Sequence, residues 1–192
     1  MISQSVNDKR KDLLAAALRL FVQYGFHGTP TSKIAKEAGV ANGTLFHYYA
    51  TKEDLIISLY IDVKRRMGEY IESKASVAKD AHERFRIQFT EIILWSMDNK
   101  DEFYFVQQFH SSPFAGLLSP DVIKEQLSKS CDEIEEAIKN RIFKKRDTDL
   151  ILSLMSSHVF GISQYLTKAK LSATEQQKII DDGFNMLLTM LA

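Results

Sequence analysis

Between residues 42 and 48 the chain places an amide, a hydroxyl, an imidazole and a phenol within two helical turns: Asn42, Thr44, His47 and Tyr48, with Gly43 among them. Such groups donate, accept and stack. No nucleophile stands near a base at useful spacing, no carboxylates pair in an apolar setting, and no glycine-rich loop could cradle a phosphate. The chemistry is therefore recognition rather than bond-making. A short helix carrying these groups outward fits the major groove, where amide, hydroxyl and imidazole groups read base edges. Thr31, Ser32 and Lys33 precede this stretch and Lys52 follows it. Hydroxyls near a helix start and flanking ammonium groups suit backbone phosphates.

Two short helices and a turn must hold these groups. Ile34, Ala35 and Ala38 give the first an apolar stripe, Gly39 lies just past its end, and Val40 plugs the turn. The second runs from about Asn42 to Tyr49, with Leu45 and Tyr49 facing inward. Upstream, Leu13, Leu14, Ala17, Leu20, Phe21 and Tyr24 line one face of a helix ending at Gly25. Downstream, Thr51 and Asp54 have the spacing of a capping box and open a long helix through Leu55, Leu59, Val63 and Met67 to about Ser73.

The run Thr31, Ile34-Ala35, Ala38-Gly39-Val40-Ala41-Asn42-Gly43-Thr44-Leu45-Phe46-His47-Tyr48-Tyr49 and Lys52-Glu53-Asp54-Leu55 closely resembles the DNA-binding domain of the tetracycline-repressor family of bacterial transcriptional regulators. Three positions depart from the family pattern. Ala41 stands where a serine usually caps the recognition helix. Phe46 stands where tyrosine is common, and a phenyl ring cannot hydrogen-bond a phosphate. Tyr49 replaces the usual phenylalanine. The resemblance implies an all-α chain with a helix-turn-helix domain over 7–67 and a helical effector-binding and dimerisation domain over 68–192. It also implies no enzymatic activity and no cofactor.

Charge follows the same division. Residues 1–50 hold six Lys/Arg against three Asp/Glu, and residues 51–192 hold nineteen against twenty-two, so an overall net charge of zero hides a basic N-terminal segment. Phosphate contact needs only local positive charge. The single cysteine, Cys131, makes neither an internal disulfide nor a zinc site, and is read as a buried helix residue in a reducing cytoplasm. No signal peptide is evident, and the uncharged stretches 103–120 and 150–167 carry too many polar residues for membrane spans.

Helices continue to the end of the sequence. One is expected over about 80–99, a short aromatic one over 103–109 and a loop over 111–119. A helix capped by Ser119 then reaches about Phe143, closed by Lys144, Lys145 and Arg146. In 150–167, Ser153, Ser157 and Gly161 recur every four positions between Leu154, Val159, Ile162 and Tyr165. The last helix is opened by a box from Ser172 to Glu175 and carries Ile179, Ile180, Phe184, Leu187, Leu188 and Leu191. These two helices are expected to pair with their copies in a homodimer, as a four-helix bundle.

An aromatic and methionine-rich group, Trp95, Met97, Phe103, Phe105, Phe109, His110, Phe114, Met155, His158 and Tyr165, is the candidate lining of a small-molecule cavity. Together these readings predict a cytoplasmic homodimer, most simply a repressor, that binds a palindromic operator in double-stranded DNA and is released by a small hydrophobic effector. Its two recognition helices would stand about 34–36 Å apart. The alternative is a DNA-binding regulator controlled by a protein partner, without a small-molecule ligand.

Overall fold

A computed structural model describes residues 2–192, with side chains from residue 8 onward. Among the described residues the chain is all-helical: α1 (Ile2–Tyr24), α2 (Thr31–Glu37), α3 (Asn42–Tyr48), α4 (Lys52–Ala75), α5 (Ala81–Asp98), α6 (Lys100–His110), a 3-10 turn (Pro113–Leu117), α7 (Pro120–Lys139), α8 (Thr148–Lys168) and α9 (Ala173–Leu191). The starts of α4, α5, α7, α8 and α9 follow polar residues that satisfy the first free amides. Asp80, Ser119 and Asp147 each accept from the amide three residues on. Both boxes are complete: Thr51 with Asp54 at 3.0 and 3.1 Å, and Ser172 with Glu175 at 2.8 and 3.3 Å.

The chain divides into two compact units. The first comprises residues up to Arg65 together with Lys100–Leu118; the second comprises Arg66–Asn99 and Ser119–Ala192. Helix α6 and the 3-10 turn thus belong with the helix-turn-helix, although their sequence position falls inside 68–192. Two seven-residue helices bury little by themselves, and aromatic rings from 100–118 complete the core of α1 and α4. Phe105 lies 6.4 Å from Phe21 in a stacked arrangement and meets the edge of Phe26 at 5.8 Å. Phe114 meets Phe26 at 5.2 Å, and Phe109 stacks on Tyr60 at 4.0 Å. Burial pushes the Tyr60 phenol up to about 12, so it stays neutral throughout the physiological range.

In the second unit, Phe85, Phe89 and Ile93 of α5 pack with Ile151 and Leu166 of α8 and with Ile180, Phe184 and Leu187 of α9. Arg84 binds Glu72 at 2.6 Å and Glu133 at 3.0 Å, joining the end of α4 to α5 and α7. The thiol of Cys131 is only half-buried on α7, and desolvation, followed by the charges of Asp149, Asp132 and Glu135, holds its pKa above the usual value.

Several expectations change here. Helix α7 ends at Lys139, not near Phe143, because Arg141 adopts a left-handed φ of 60° and reverses the chain. That reversal buries Phe143 edge-on against Phe85 at 4.9 Å. Lys144–Arg146 therefore do not close α7; the Lys144 amide instead donates to Leu191 in the last turn of α9 at 2.8 Å. The expected loop over 111–119 contains the 3-10 turn, and α3 stops at Tyr48, leaving Tyr49 as its C-cap. On α9, Ile180, Phe184, Leu187 and Leu191 are buried within the second unit, so the face read as an intermolecular seam is core of the single chain.

Candidate nucleic-acid interface

The turn between α2 and α3 has the hydrogen bonding of a Schellman motif. The Val40 amide donates to Ala35 at 2.9 Å and the Gly39 amide to Lys36 at 3.1 Å. Gly39 takes a φ of 67°, which costs a side-chain-bearing residue about 1–2 kcal/mol. Ile34 and Ala35 from α2 and Leu45 from α3 are buried beneath it. Tyr49 is buried just after α3, where desolvation raises its phenol against the opposing charge of Arg10.

With Leu45 fixed inward, the 100° step of the helix determines the rest. Gly43 and His47 form the crest of α3, Asn42 and Phe46 one flank, and Thr44 and Tyr48 the other. The surface follows that geometry: Asn42, Gly43, Phe46 and His47 are exposed, while Thr44 and Tyr48 are half-buried. The His47 and Tyr48 rings meet nearly edge-on at 5.8 Å. On α2, Ser32 and Lys33 are exposed and Thr31 half-buried; Lys52 is half-buried at the first residue of α4, where desolvation lowers its pKa and Glu53 opposes that effect. All nine residues read from the sequence as DNA contacts lie in the first unit, on α2, α3 and the start of α4.

Four structural supports were not evident from the sequence. The Thr29 side chain is fully buried, with its hydroxyl donating to the Gly25 carbonyl at 2.8 Å and the Leu20 carbonyl 3.0 Å away. A Cβ on Gly28 would stand 2.3 Å from the Tyr24 carbonyl oxygen, so the α1–α2 loop closes only around glycine. Arg19 pairs with Glu37 at 3.2 Å, and the Lys33 ammonium sits 3.4 Å from the centroid of the Tyr24 ring. These contacts pin α2 to α1. Lys33 therefore already has a cation–π partner, and a phosphate contact must share it.

Helix α3 lacks a side-chain cap, since Ala41 occupies that position. Ala41→Ser is expected to stabilise the protein by about 0.5–2 kcal/mol by satisfying a free amide of α3. Urea unfolding measures this, and an unchanged midpoint would show that another group already caps the helix.

The residues read as a cavity lining do not fall in one unit. Phe103, Phe105, Phe109, His110 and Phe114 belong to the first; Trp95, Met97, Met155, His158 and Tyr165 belong to the second. His158 Nε2 lies 2.7 Å from the Gly183 carbonyl and its ring stacks on Phe89, whereas Tyr165 is exposed. A surface groove of about 600 Å³ follows α5 past His82, Arg86, Ile87 and Thr90, and contains none of these ten residues. Among the described residues no group of three or more His, Cys, Asp or Glu is placed to hold a metal, and no helix is long and apolar enough to cross a membrane.

Comparison with known proteins agrees with this geometry. The profile of a family described as "Bacterial regulatory proteins, tetR family" matches residues 13–59. The fatty acid metabolism regulator protein of Bacillus subtilis (strain 168) is 44% identical over 64 residues, which are 33% of this chain and 31% of that protein. The chain thus spans about a third of the length of that curated relative. A putative tetR family transcription regulator from Shewanella sp. PV-4 has a TM-score of 0.87 and 26% identity, covering 96% of this chain and 98% of that one. AibR, solved in complex with isovaleryl coenzyme A and operator DNA, shares the fold with a TM-score of 0.73 at 21% identity, over 94% of this chain and 98% of that one.

Proposed function

This chain belongs to the tetR family of bacterial regulatory proteins, and on that premise we propose that it is a cytoplasmic, homodimeric repressor that leaves a palindromic operator when a small effector binds. The observation that carries the DNA-binding part is the exposed crest (Gly43 and His47) and flank (Asn42 and Phe46) of α3 on a turn fixed by Gly39. Asn42, Thr44, His47 and Tyr48 meet base edges, Gly43 admits close approach, and Thr31, Ser32, Lys33 and Lys52 hold phosphates. One seven-residue helix reads few base pairs, so two-fold symmetry doubles the site.

Selection of bound DNA from a random pool tests this reading directly. An enriched palindrome supports it; a pool without a motif removes the sequence-reading role. On the winning site, Asn42→Ala is expected to relax base preference, whereas Lys52→Ala weakens all sites alike and lowers the salt slope by about one. Equal, sequence-independent effects would show that α3 is not the reading helix.

For the effector, the supporting observation is Ser163 on α8. Its side chain is 1% exposed and its hydroxyl oxygen has no hydrogen-bond partner among the described residues. Leaving such a group unsatisfied costs about 1–3 kcal/mol, and a ligand that meets it recovers that cost. We therefore place the effector in the second unit, beside Ser163. The Bacillus relative and AibR make acyl compounds the first class to try. Binding shifts the operator equilibrium only by the effector's preference for the state with the wrong recognition-helix spacing.

Ser163→Ala is expected to raise the stability of the free protein by about 1 kcal/mol and to reduce the thermal shift given by an acyl effector. Loss of stability on that substitution would show that the hydroxyl is already satisfied. No shift of wild-type protein with any compound class would favour control by a protein partner, a reading consistent with a groove on the outside of α5.

A further inference from the structure

Phe46 is the one large apolar side chain on the outward surface of α3, and it is 44% exposed. Single exposed apolar residues are ordinary on protein surfaces. Phe46 differs by its place, one turn after Asn42 on the same flank and beside the His47 crest, all of them exposed. The ring has no hydroxyl, so it can neither donate to a phosphate nor bridge to one through a direct hydrogen bond. What it offers is an apolar edge, and the major groove presents one apolar group to match, the 5-methyl of thymine.

Resting on the DNA-binding reading above, we propose that Phe46 is a specificity-determining residue that reads a thymine methyl in each half-site. Asn42 on the same flank pairs most favourably with adenine N6 and N7. One helical turn separates the two side chains by about 5.4 Å along α3, which corresponds to one or two base-pair steps of about 3.4 Å. Each half-site therefore carries an adenine and, one or two positions away, a thymine whose methyl faces Phe46. Removing only that methyl weakens binding about fourfold per half-site, the affinity equivalent of about 0.8 kcal/mol for one buried carbon. Both half-sites together give about fifteenfold.

The test uses the full-length protein and the site it enriches from a random pool. Each thymine of that site is replaced in turn by deoxyuridine, which removes the methyl and leaves base pairing intact. Wild-type protein is expected to lose about fourfold at one thymine per half-site. Phe46→Ala, which alters both half-site contacts at once, should bind the unmodified site about fifteenfold more weakly and show no further loss at the same thymine. Phe46→Leu, which keeps an apolar edge, should retain methyl sensitivity. Because Phe46 is exposed, unfolding midpoints of both variants should match wild type. An enriched site indifferent to every thymine methyl, or a Phe46→Ala protein with undiminished methyl sensitivity, would overturn the assignment while leaving the regulator reading intact. A wild-type protein that enriches no site would overturn both.

Discussion

Phe105→Ala is expected to cost about 3–5 kcal/mol and to abolish sequence-specific DNA binding, although Phe105 lies outside the helix-turn-helix. The side chain is fully buried, stacked over Phe21 of α1 and edge-on to Phe26 in the α1–α2 loop. Truncation leaves a cavity between rings that cannot collapse without moving that loop, where Gly28 and Thr29 already fix the backbone. Loss on this scale is a large share of the roughly 5–15 kcal/mol that holds a typical domain together. Because α1 supports α2 and α3, the damage should appear at the DNA. Denaturant unfolding and operator titration measure the two effects, with Tyr104→Ala as control, since Tyr104 is exposed and its loss should stay within about 0.5 kcal/mol. If Phe105→Ala left both midpoint and affinity unchanged, 100–118 would not be part of the folding unit that carries α2 and α3.

That segment also marks the limit of what the sequence discloses. Helix-turn-helix elements are local: Ile34, Ala35 and Ala38 repeat at helical spacing, Gly39 supplies the left-handed turn, and each capping box lies within four residues. The same locality made the starts of α4, α7 and α9 legible. Partner choice is not local. An aromatic helix such as α6 presents the same pattern whether its rings close a ligand cavity or seal α1, and only the tertiary structure puts Phe105 and Phe114 against Phe26. The end of α7 was hidden for a different reason: Arg141 takes a backbone conformation that favours glycine, stabilised from afar by burial of Phe143. Thr29 and the Lys33–Tyr24 contact depend on loop closure and leave no periodic trace. At the interface itself, outward residues were readable once Leu45 was placed, whereas the exposure of Phe46 gained meaning only beside that of Asn42 and His47.

Gly161→Leu should separate folding from assembly, because its two expected effects have opposite signs. A Cβ at Gly161 meets nothing within 4 Å, so the chain itself has room for a side chain there. Replacing an exposed helical glycine removes a penalty of about 0.8–1.0 kcal/mol relative to alanine, so the isolated chain should gain slightly in stability. Gly161 shares one face of α8 with Leu150, Ser157 and the 54%-exposed Tyr165, and α9 adds Met186 at 64% and Met190. On the homodimer reading proposed above, a second copy sits on this face rather than on the buried one of α9, and the serine and glycine positions set how near its helix comes. A leucine there holds the copies apart. Sedimentation should show a monomer, and affinity for the palindrome should fall by about 10²–10⁴, the usual gain from joining two binding events, while affinity for an isolated half-site stays as in wild type. Met186→Lys should act in the same direction by placing a charge on the same surface. A Gly161→Leu protein that remained dimeric and bound the palindrome normally would move the two-fold axis off α8, and the spacing of the recognition helices would then be set by other surfaces.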